Sequence, residues 1–337
     1  MALPWPGDNA FSSCLRSILY DDAAMQATDS RSYRFSGHET FPCRYTWLPK
    51  AVQNLRRNNN LFADEDDAMV QLGVGKNMVR AIRFWADVAD IAIANESPAT
   101  GLRPSEFGED ILGPSGHDEY LEDIKTLWLL HWKISTKVRA PLFAWDRLLN
   151  FWHRPDFTRS EVISVFTEEA SRHGRALSPV TLETHFTTFL HTYVPTRGKK
   201  GEVVEDNLDC PLTELDLILE VGERANAESN RRESIHAFRV EDKPEITGDL
   251  FTFCVNDFWE KRHPNEQTLP FREISVGHGS PGQIFKLPEA AVRDRLESIN
   301  KDSGGTFEFQ ESMAIQQLVR LKRPDPRRML KNIYRRP

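Results

Sequence analysis

A mostly α, multi-helical fold, with winged helix-turn-helix-like modules near both ends and a helical centre, is what this sequence predicts. Three observations carry the prediction. Apolar residues recur at intervals of three and four through most of the chain, the mark of helices that bury one face. Near the N-terminus, three such segments are separated by a glycine-bearing turn and followed by a short apolar strand-like run, the element order of a winged helix-turn-helix. Near the C-terminus, helical segments precede two β-prone runs in the same order.

Residues 1–32 read as a weakly structured arm with a short helix at Ser12 to Tyr20. Residues 33–118 form the first winged-helix-like module. Within it, Trp47 to Arg57 puts Leu48, Val52 and Leu55 on one face, and Asn58, Asn59 and Asn60 supply a polar stop. Asp64 to Leu72 is a shorter helix whose Asp64 and Glu65 suit the positive end of the helix dipole. Lys76 to about Ala89 is the third, and Ile91-Ala-Ile the strand. The middle domain, 119–245, carries helical periodicity at Tyr120 to Ile134, Ala144 to Trp152, Ser160 to His173 and Pro179 to Thr192. Thr158 and Ser178 are suited to cap the helices that follow them, and Pro141, Pro155 and Pro179 punctuate the series. A polar hairpin or loop from Thr196 leads into an acidic stretch. In the C-terminal module, 246–337, Leu250 to Lys261 and Pro288 to Asn300 are helical, while Thr306 to Gln310 and Ile315 to Leu321 are β-prone.

The 337 residues suffice for two or three compact domains, and 39% hydrophobic residues can supply their cores. A net charge of −7 excludes the global positive field of a small histone-like binder, so any nucleic-acid surface is local. From residue 314 onward there are eight basic residues and one acid, a concentration that attracts phosphates or simply solvates a tail. Cys14, Cys43, Cys210 and Cys254 form no CxxC pair, so neither a zinc knuckle nor a disulfide framework is indicated and a reducing cytoplasm is expected. The most apolar helical segment is interrupted by His131 and Lys133, which argues against a membrane span.

Residues 35–50 pack His38, Glu39, Arg44 and Lys50 between aromatics. An imidazole beside a carboxylate can act as a general base or as half of a metal site, with Arg44 stabilising negative charge, so His38, Glu39 and Arg44 are the catalytic candidates. The rival reading is structural: a capping histidine and an Arg44–Glu39 pair. On the helix from Lys76, Arg80 and Arg83 stand at i+4 and i+7, and Val79, Ile82 and Ala86 form a separate apolar face. That division suits a recognition helix, and equally a solvated basic face. Lys76, Asn77, Arg80 and Arg83 are therefore DNA-binding candidates. So are Arg197, Lys199 and Lys200 on a glycine-flanked tip, Arg293 on the later helix, and Arg323, Arg327 and Arg328 in the tail.

Several motifs fail on spacing. A phosphate loop needs glycine where Val70 stands and Ser or Thr where Asn77 stands. His131-Trp-Lys133 begins like a phospholipase D motif, but Val138 replaces its aspartate. Glu241-Asp-Lys243 has E-x-K spacing without an upstream Pro-Asp partner, and His185 and His191, six apart, lie on opposed faces. A divalent cation such as magnesium is the candidate cofactor, and the sequence names no ligands for it.

The stretches Phe35 to Lys50 and Leu72 to Arg80 together resemble the SspB-like family of DNA nicking endonucleases, a bacterial domain-of-unknown-function family associated with DNA phosphorothioation gene clusters. The resemblance recurs at Leu190 to Pro211 and at Phe253 to Leu287, in Asn-Asp-Phe-Trp and Gly-Ser-Pro-Gly-Gln-Ile-Phe-Lys-Leu, and covers about 33–335. It implies a nick in double-stranded DNA that assists sulfur incorporation into the backbone. The implied partners are a cysteine desulfurase, an ATPase and an ATP-pyrophosphatase-like sulfur transferase. The alternative is a non-catalytic, DNA-reading adaptor that recruits those enzymes. Recognition of symmetric DNA is the condition under which a homodimer is expected.

Overall fold

Asp64 opens the second helix by accepting hydrogen bonds from the Asp66 and Asp67 amides, and Gly73, at φ 66°, closes it. Such caps set most of the helix boundaries in the computed structural model, which describes residues 32–95, 101–172, 177–195, 210–226 and 231–335. The helix expected at Ser12 to Tyr20 and the tip carrying Arg197, Lys199 and Lys200 lie outside the described residues.

The first region is built from α1 (Trp47–Leu55), α2 (Glu65–Leu72), α3 (Lys76–Val88), and the antiparallel pair β1 (Ala92–Ala94) and β2 (Leu102–Pro104). Their inward faces are Trp47, Leu48, Val52 and Leu55 of α1 and Val79, Ile82, Trp85 and Ala86 of α3. Ser105 caps the next helix, α4 (Glu106–Leu112), and donates its hydroxyl to the Asp90 carbonyl, tying the hairpin to the end of α3.

The helix expected from Tyr120 begins later, as α5 (Ile124–Ser135). Asp118 takes the amides of Glu122 and Asp123, and Leu121 sits at φ 61°, so a turn replaces the first helical residues. Every α5 residue from Thr126 to Ser135 is buried. The segment expected to be one helix from Ala144 to Trp152 is a short α6 (Phe143–Asp146) that widens into a π-helical turn, Arg147–Phe151. The cause lies in the chain that meets it. Gln283 and Lys286 donate to the Leu149 carbonyl at 2.9 and 2.5 Å, and Gln283 reaches the Asn150 carbonyl at 3.2 Å, satisfying acceptors that an α-helix would have kept internally.

Beyond β3 (Asp156–Phe157), Thr158 and Glu161 form a reciprocal capping box at the start of α7 (Arg159–Arg172), and Ser178 caps α8 (Pro179–Tyr193). The sequence reading missed the hairpin β4 (Ile218–Ala225) and β5 (Arg232–Phe238), which with β3 forms a sheet in the order β3-β5-β4. A short 3₁₀ turn, Pro211–Leu215, leads into it.

The last region comprises α9 (Gly248–Arg262), β6 (Thr268–Pro270), α10 (Phe271–Val276), α11 (Pro281–Ile284), α12 (Glu289–Asp302), β7 (Phe307–Glu311), β8 (Gln316–Arg320) and α13 (Pro326–Ile333). Its sheet runs β6-β8-β7, all antiparallel, with Leu318 opposite both Leu269 and Phe309. The Trp259 ring of α9 stacks on Phe307 at 5.6 Å. The basic segment after 320 is more than a solvated tail, because α13 buries Met329, Leu330 and Ile333. Tyr334 stacks on His117 and bonds Thr126 at 2.8 Å, while the Ile333 carbonyl accepts from Lys125. The chain end is thereby fastened to the start of α5.

Candidate nucleic-acid interface

On α3 the separation of faces is realised: Val79, Ile82, Trp85 and Ala86 are buried, while Lys76, Asn77, Arg80 and Arg83 are exposed. Glu65 of α2 occupies the middle of this face. It pairs with Lys76 at 2.8 Å and grips Arg80 with both oxygens, at 2.7 and 3.2 Å. These hydrogen bonds, from Arg80 first and then Lys76, pull the Glu65 carboxyl down to about 2. Two of the three expected cations are thus engaged by one carboxylate, and Arg83 has no side-chain partner among the described residues. Exposed Arg103 on the β1–β2 hairpin is an addition that the sequence reading passed over, since one cation in a Gly/Pro-rich loop carries no periodic signal.

The preceding loop turns on backbone conformations that L-residues seldom adopt. Gly37 has φ 107°, and a Cβ there would lie 2.9 Å from the Phe84 ring and 3.0 Å from the Arg34 guanidinium. Glu39 and Thr40 follow at φ 50° and 69°. His38 faces inward, 3% exposed, with its Nε2 3.1 Å from Nδ1 of His185 on α8. The Ala144 amide donates to His185 Nε2 at 3.1 Å, so neutral His185 carries its proton on Nδ1 and donates to His38 Nε2. His38 then donates Nδ1–H to Thr188 Oγ1 at 3.2 Å, and Thr188 passes its own proton to the Thr184 carbonyl at 3.0 Å. The Thr40 amide, 3.2 Å from the same Nδ1, needs that nitrogen as an acceptor and gains no bond from it in this tautomer. Burial, aided by the Arg34 charge, lowers His38 to about 4, and burial next to His38 lowers His185 well below the ordinary imidazole value. The pair is neutral and its nitrogens are occupied.

Glu39 is half-buried and close enough to Arg80 for its charge to contribute to raising that guanidinium, behind the larger effect of Glu65. Arg44 lies against the Phe41 and Trp47 rings at 5.9 and 5.5 Å, and Lys50 reaches the Leu72 carbonyl at 3.4 Å. The loop thus meets α3 at two points, with the His38 ring edge-on to Phe84 at 5.6 Å and the Glu39 charge acting on Arg80. Arg293 is elsewhere, over the Phe271 ring at 4.6 Å and paired with Glu311. Arg327 is drawn toward Asp110 and Glu106 of α4, at 3.4 and 3.7 Å, whereas Arg323 and Arg328 are exposed without side-chain partners among the described residues. Among the same residues, no group of three or more His, Cys, Asp or Glu side chains could hold a metal ion, and no helix is long and apolar enough to cross a membrane.

Residues 35–334 match the family described as Protein of unknown function (DUF4007). The chain belongs to the DUF4007 family. Among solved structures it is similar to one described as "SspB crystal structure", at 26% identity and a TM-score of 0.73. It is also similar to "Magnesium ion-bound SspB crystal structure", at 25% identity and a TM-score of 0.72. Each alignment covers 89% of this chain and 89% of the other. No curated protein matches the chain. The SspB-like fold expected from the motifs is therefore present.

In this DUF4007 chain the remaining motif segments serve the interior. Asp257, from Asn-Asp-Phe-Trp, accepts from Trp132 at 2.7 Å and Lys133 at 2.9 Å on α5, and pairs with Lys261 at 2.8 Å. Burial opposes its ionisation, but the two ammonium groups outweigh burial and hold its carboxyl far below the usual range. His131 accepts from Tyr193 at 2.8 Å and donates to the Ile284 carbonyl at 3.1 Å, and burial lowers it to about 4. Lys243 of the E-x-K match donates to the carbonyls of Arg239, Glu241 and Lys286 at 2.8, 3.1 and 3.2 Å, which fixes a loop. A second ionisable cluster was not legible beforehand: Asp146 accepts from Tyr33 at 2.8 Å and contacts His278 at 2.7 Å.

Proposed function

We propose that this DUF4007 protein binds double-stranded DNA through the exposed face of α3 and nicks one strand within a bacterial DNA phosphorothioation and defence system. The observation that carries the reading is the exposed cationic α3 face, Lys76, Arg80 and Arg83, with Glu39 close enough to Arg80 for its charge to act on that guanidinium, in a fold similar to two SspB structures. Three helices followed by the β1–β2 hairpin support a winged helix-turn-helix reading in which α3 enters the major groove and Arg103 on the hairpin meets the backbone. The C-terminal β6-β8-β7 sheet, with α12 before it, supports the second such module.

In this reading His38 is a positioning residue. Its bonds to His185 and Thr188 hold the left-handed Glu39–Thr40 turn, and the turn directs Glu39 toward the α3 cations, where a scissile phosphate would lie. Glu39 activates water as a base, and Arg44 or a neighbouring cation stabilises the phosphorane charge. One of the similar structures is described as magnesium-bound.

One observation favours the adaptor instead: the imidazole nearest Glu39 has both nitrogens engaged inside the protein, which leaves a single carboxylate for the chemistry. Supercoiled plasmid incubated with the purified chain, with and without a divalent ion, separates the two. Relaxed circles that scale with protein and vanish in Glu39→Gln establish the nickase. A band shift without relaxation supports the adaptor, whose role is to recruit the desulfurase, ATPase and sulfur transferase.

A further inference from the structure

Between α9, β8 and the start of α13 lies a cleft of about 490 Å³, lined by Asn256, Glu260, Gln267, Arg320, Lys322 and Arg323, with Pro324 and Pro326 at its edge. Its volume is in the range of small-molecule sites, roughly 300–1,000 Å³. Its polar groups are incompletely satisfied. Asn256 is 2% exposed, and its Oδ1 has no hydrogen-bond partner among the described residues. Arg320 spends Nη1 on Glu260 at 2.7 Å and lays its plane over Trp259 at 4.5 Å, yet its Nε and Nη2 are enclosed without a partner among the described residues. Buried polar groups are nearly always paired in native proteins, so these three atoms, enclosed in the wall of the cleft, become partners for a ligand's acceptors and donor once the Asn256 and Arg320 side chains turn toward it. Lys322 and Arg323 stand at the mouth, exposed and without side-chain partners among the described residues. With Glu260 neutralised by Arg320, the cleft carries two net positive charges from these side chains.

We propose that this cleft binds one phosphorylated nucleotide, its phosphate on Lys322 and Arg323 with Arg320 behind them, and the amino-bearing edge of its base accepted by Asn256. Inorganic phosphate alone supplies acceptors but leaves Asn256 unpaired, and a neutral nucleoside leaves the cations unused. A nucleotide answers both. The cleft is separate from the α3 face, and it rests on the duplex-DNA reading only for the source of the nucleotide, a DNA strand rather than a free monophosphate. Nothing in the bonding of Asn256, Lys322 or Arg323 contributes to the helix or sheet ladders through their side chains, so these positions can be altered without dismantling the fold.

The test is calorimetric titration of the full chain with dCMP, with inorganic phosphate and with deoxycytidine, in wild type, Lys322→Ala/Arg323→Ala and Asn256→Leu, each with its melting curve. The expected result is dCMP binding that exceeds both fragments, falls about tenfold or more in the double variant as two charge-assisted contacts vanish, and loses its preference over inorganic phosphate in Asn256→Leu. Equal binding of dCMP and inorganic phosphate overturns the base subsite, and absence of dCMP binding at millimolar concentration overturns the proposal. Competition by a single-stranded oligodeoxynucleotide supports a strand as the source, and failure to compete overturns that assignment. Plasmid nicking is scored in parallel: dCMP binding in a chain that neither binds nor nicks duplex refutes the DNA reading alone, while nicking without dCMP binding refutes the cleft alone.

Discussion

Replacing Glu65 by Gln tests whether α3 meets DNA, because this one carboxylate holds both Lys76 and Arg80 away from any phosphate. The substitution retains the shape of the side chain and leaves the Asp64 cap of α2 in place. It removes the charge that two cations share. Each phosphate contact that Lys76 and Arg80 then make steepens the dependence of log affinity on log salt by about 0.9, so both together add about 1.8. Between roughly 200 and 50 mM salt, that difference amounts to about a twelvefold gain in relative affinity over wild type. Fluorescence anisotropy on a labelled duplex at several salt concentrations reads the slope directly. The pair is solvent-exposed, so melting should change little. An unchanged slope and affinity in Glu65→Gln, together with an unchanged slope in Lys76→Ala/Arg80→Ala/Arg83→Ala, would remove this face from the interface.

Acid should loosen the protein through its buried histidines. His38 and His131 are lowered to about 4 in the fold against about 6.5 when unfolded, so the neutral ring is what folding favours. Their contribution is complete above pH 6.5, declines between 6.5 and 4, and amounts to on the order of 3 kcal/mol for each ring. His131→Gln should flatten part of the melting-temperature loss between pH 7 and 4.5, and an equally steep profile in the variant would refute the assignment. Truncation after Leu321 removes the buried Met329, Leu330 and Ile333, each contributing about 1.5–3 kcal/mol, so it should lower the melting temperature as well as DNA affinity. Arg323→Ala/Arg328→Ala should instead weaken binding to all duplexes alike with melting unchanged, and selective loss of one sequence would contradict that. Asp257→Asn leaves buried Lys133 and half-buried Lys261 without their counter-charge and should cost about 3–5 kcal/mol in chemical denaturation. A variant as stable as wild type would show that the triad is not what joins α5 to α9.

Helix positions were legible where one buried face repeats and a cap stands at the right place, as in α3 with Val79, Ile82 and Trp85, or α7 behind the Thr158–Glu161 box. They failed where a partner distant in sequence decides the local backbone. The π turn at Arg147–Phe151 exists because Gln283 and Lys286 arrive with donors for the Leu149 and Asn150 carbonyls, and nothing within 147–151 announces this. The β4–β5 hairpin was hidden for another reason. Most of β4 is exposed, so its alternation of Leu219 and Val221 with Glu220 reads as polar loop when the eye expects one buried side.

The same dependence on distance explains how little of the candidate site could be read from residue 38 alone. His38-Glu39 has the composition of a catalytic pair, yet the decisive fact is His185, 147 positions away, whose Nδ1 consumes the His38 lone pair because the Ala144 amide has already claimed Nε2. Helical spacing puts His185 and His191 on opposed faces, but spacing along one helix cannot announce a partner on another segment. Once His185 is in place, the His38 imidazole is committed to the interior, and under the proposed function any acid–base chemistry of the loop falls to the Glu39 carboxylate. The positive φ values at Glu39 and Thr40 turn the chain outward immediately after the buried ring, so the only ionisable group of the pair that can meet a phosphate is the one whose conformation His38 and His185 fix.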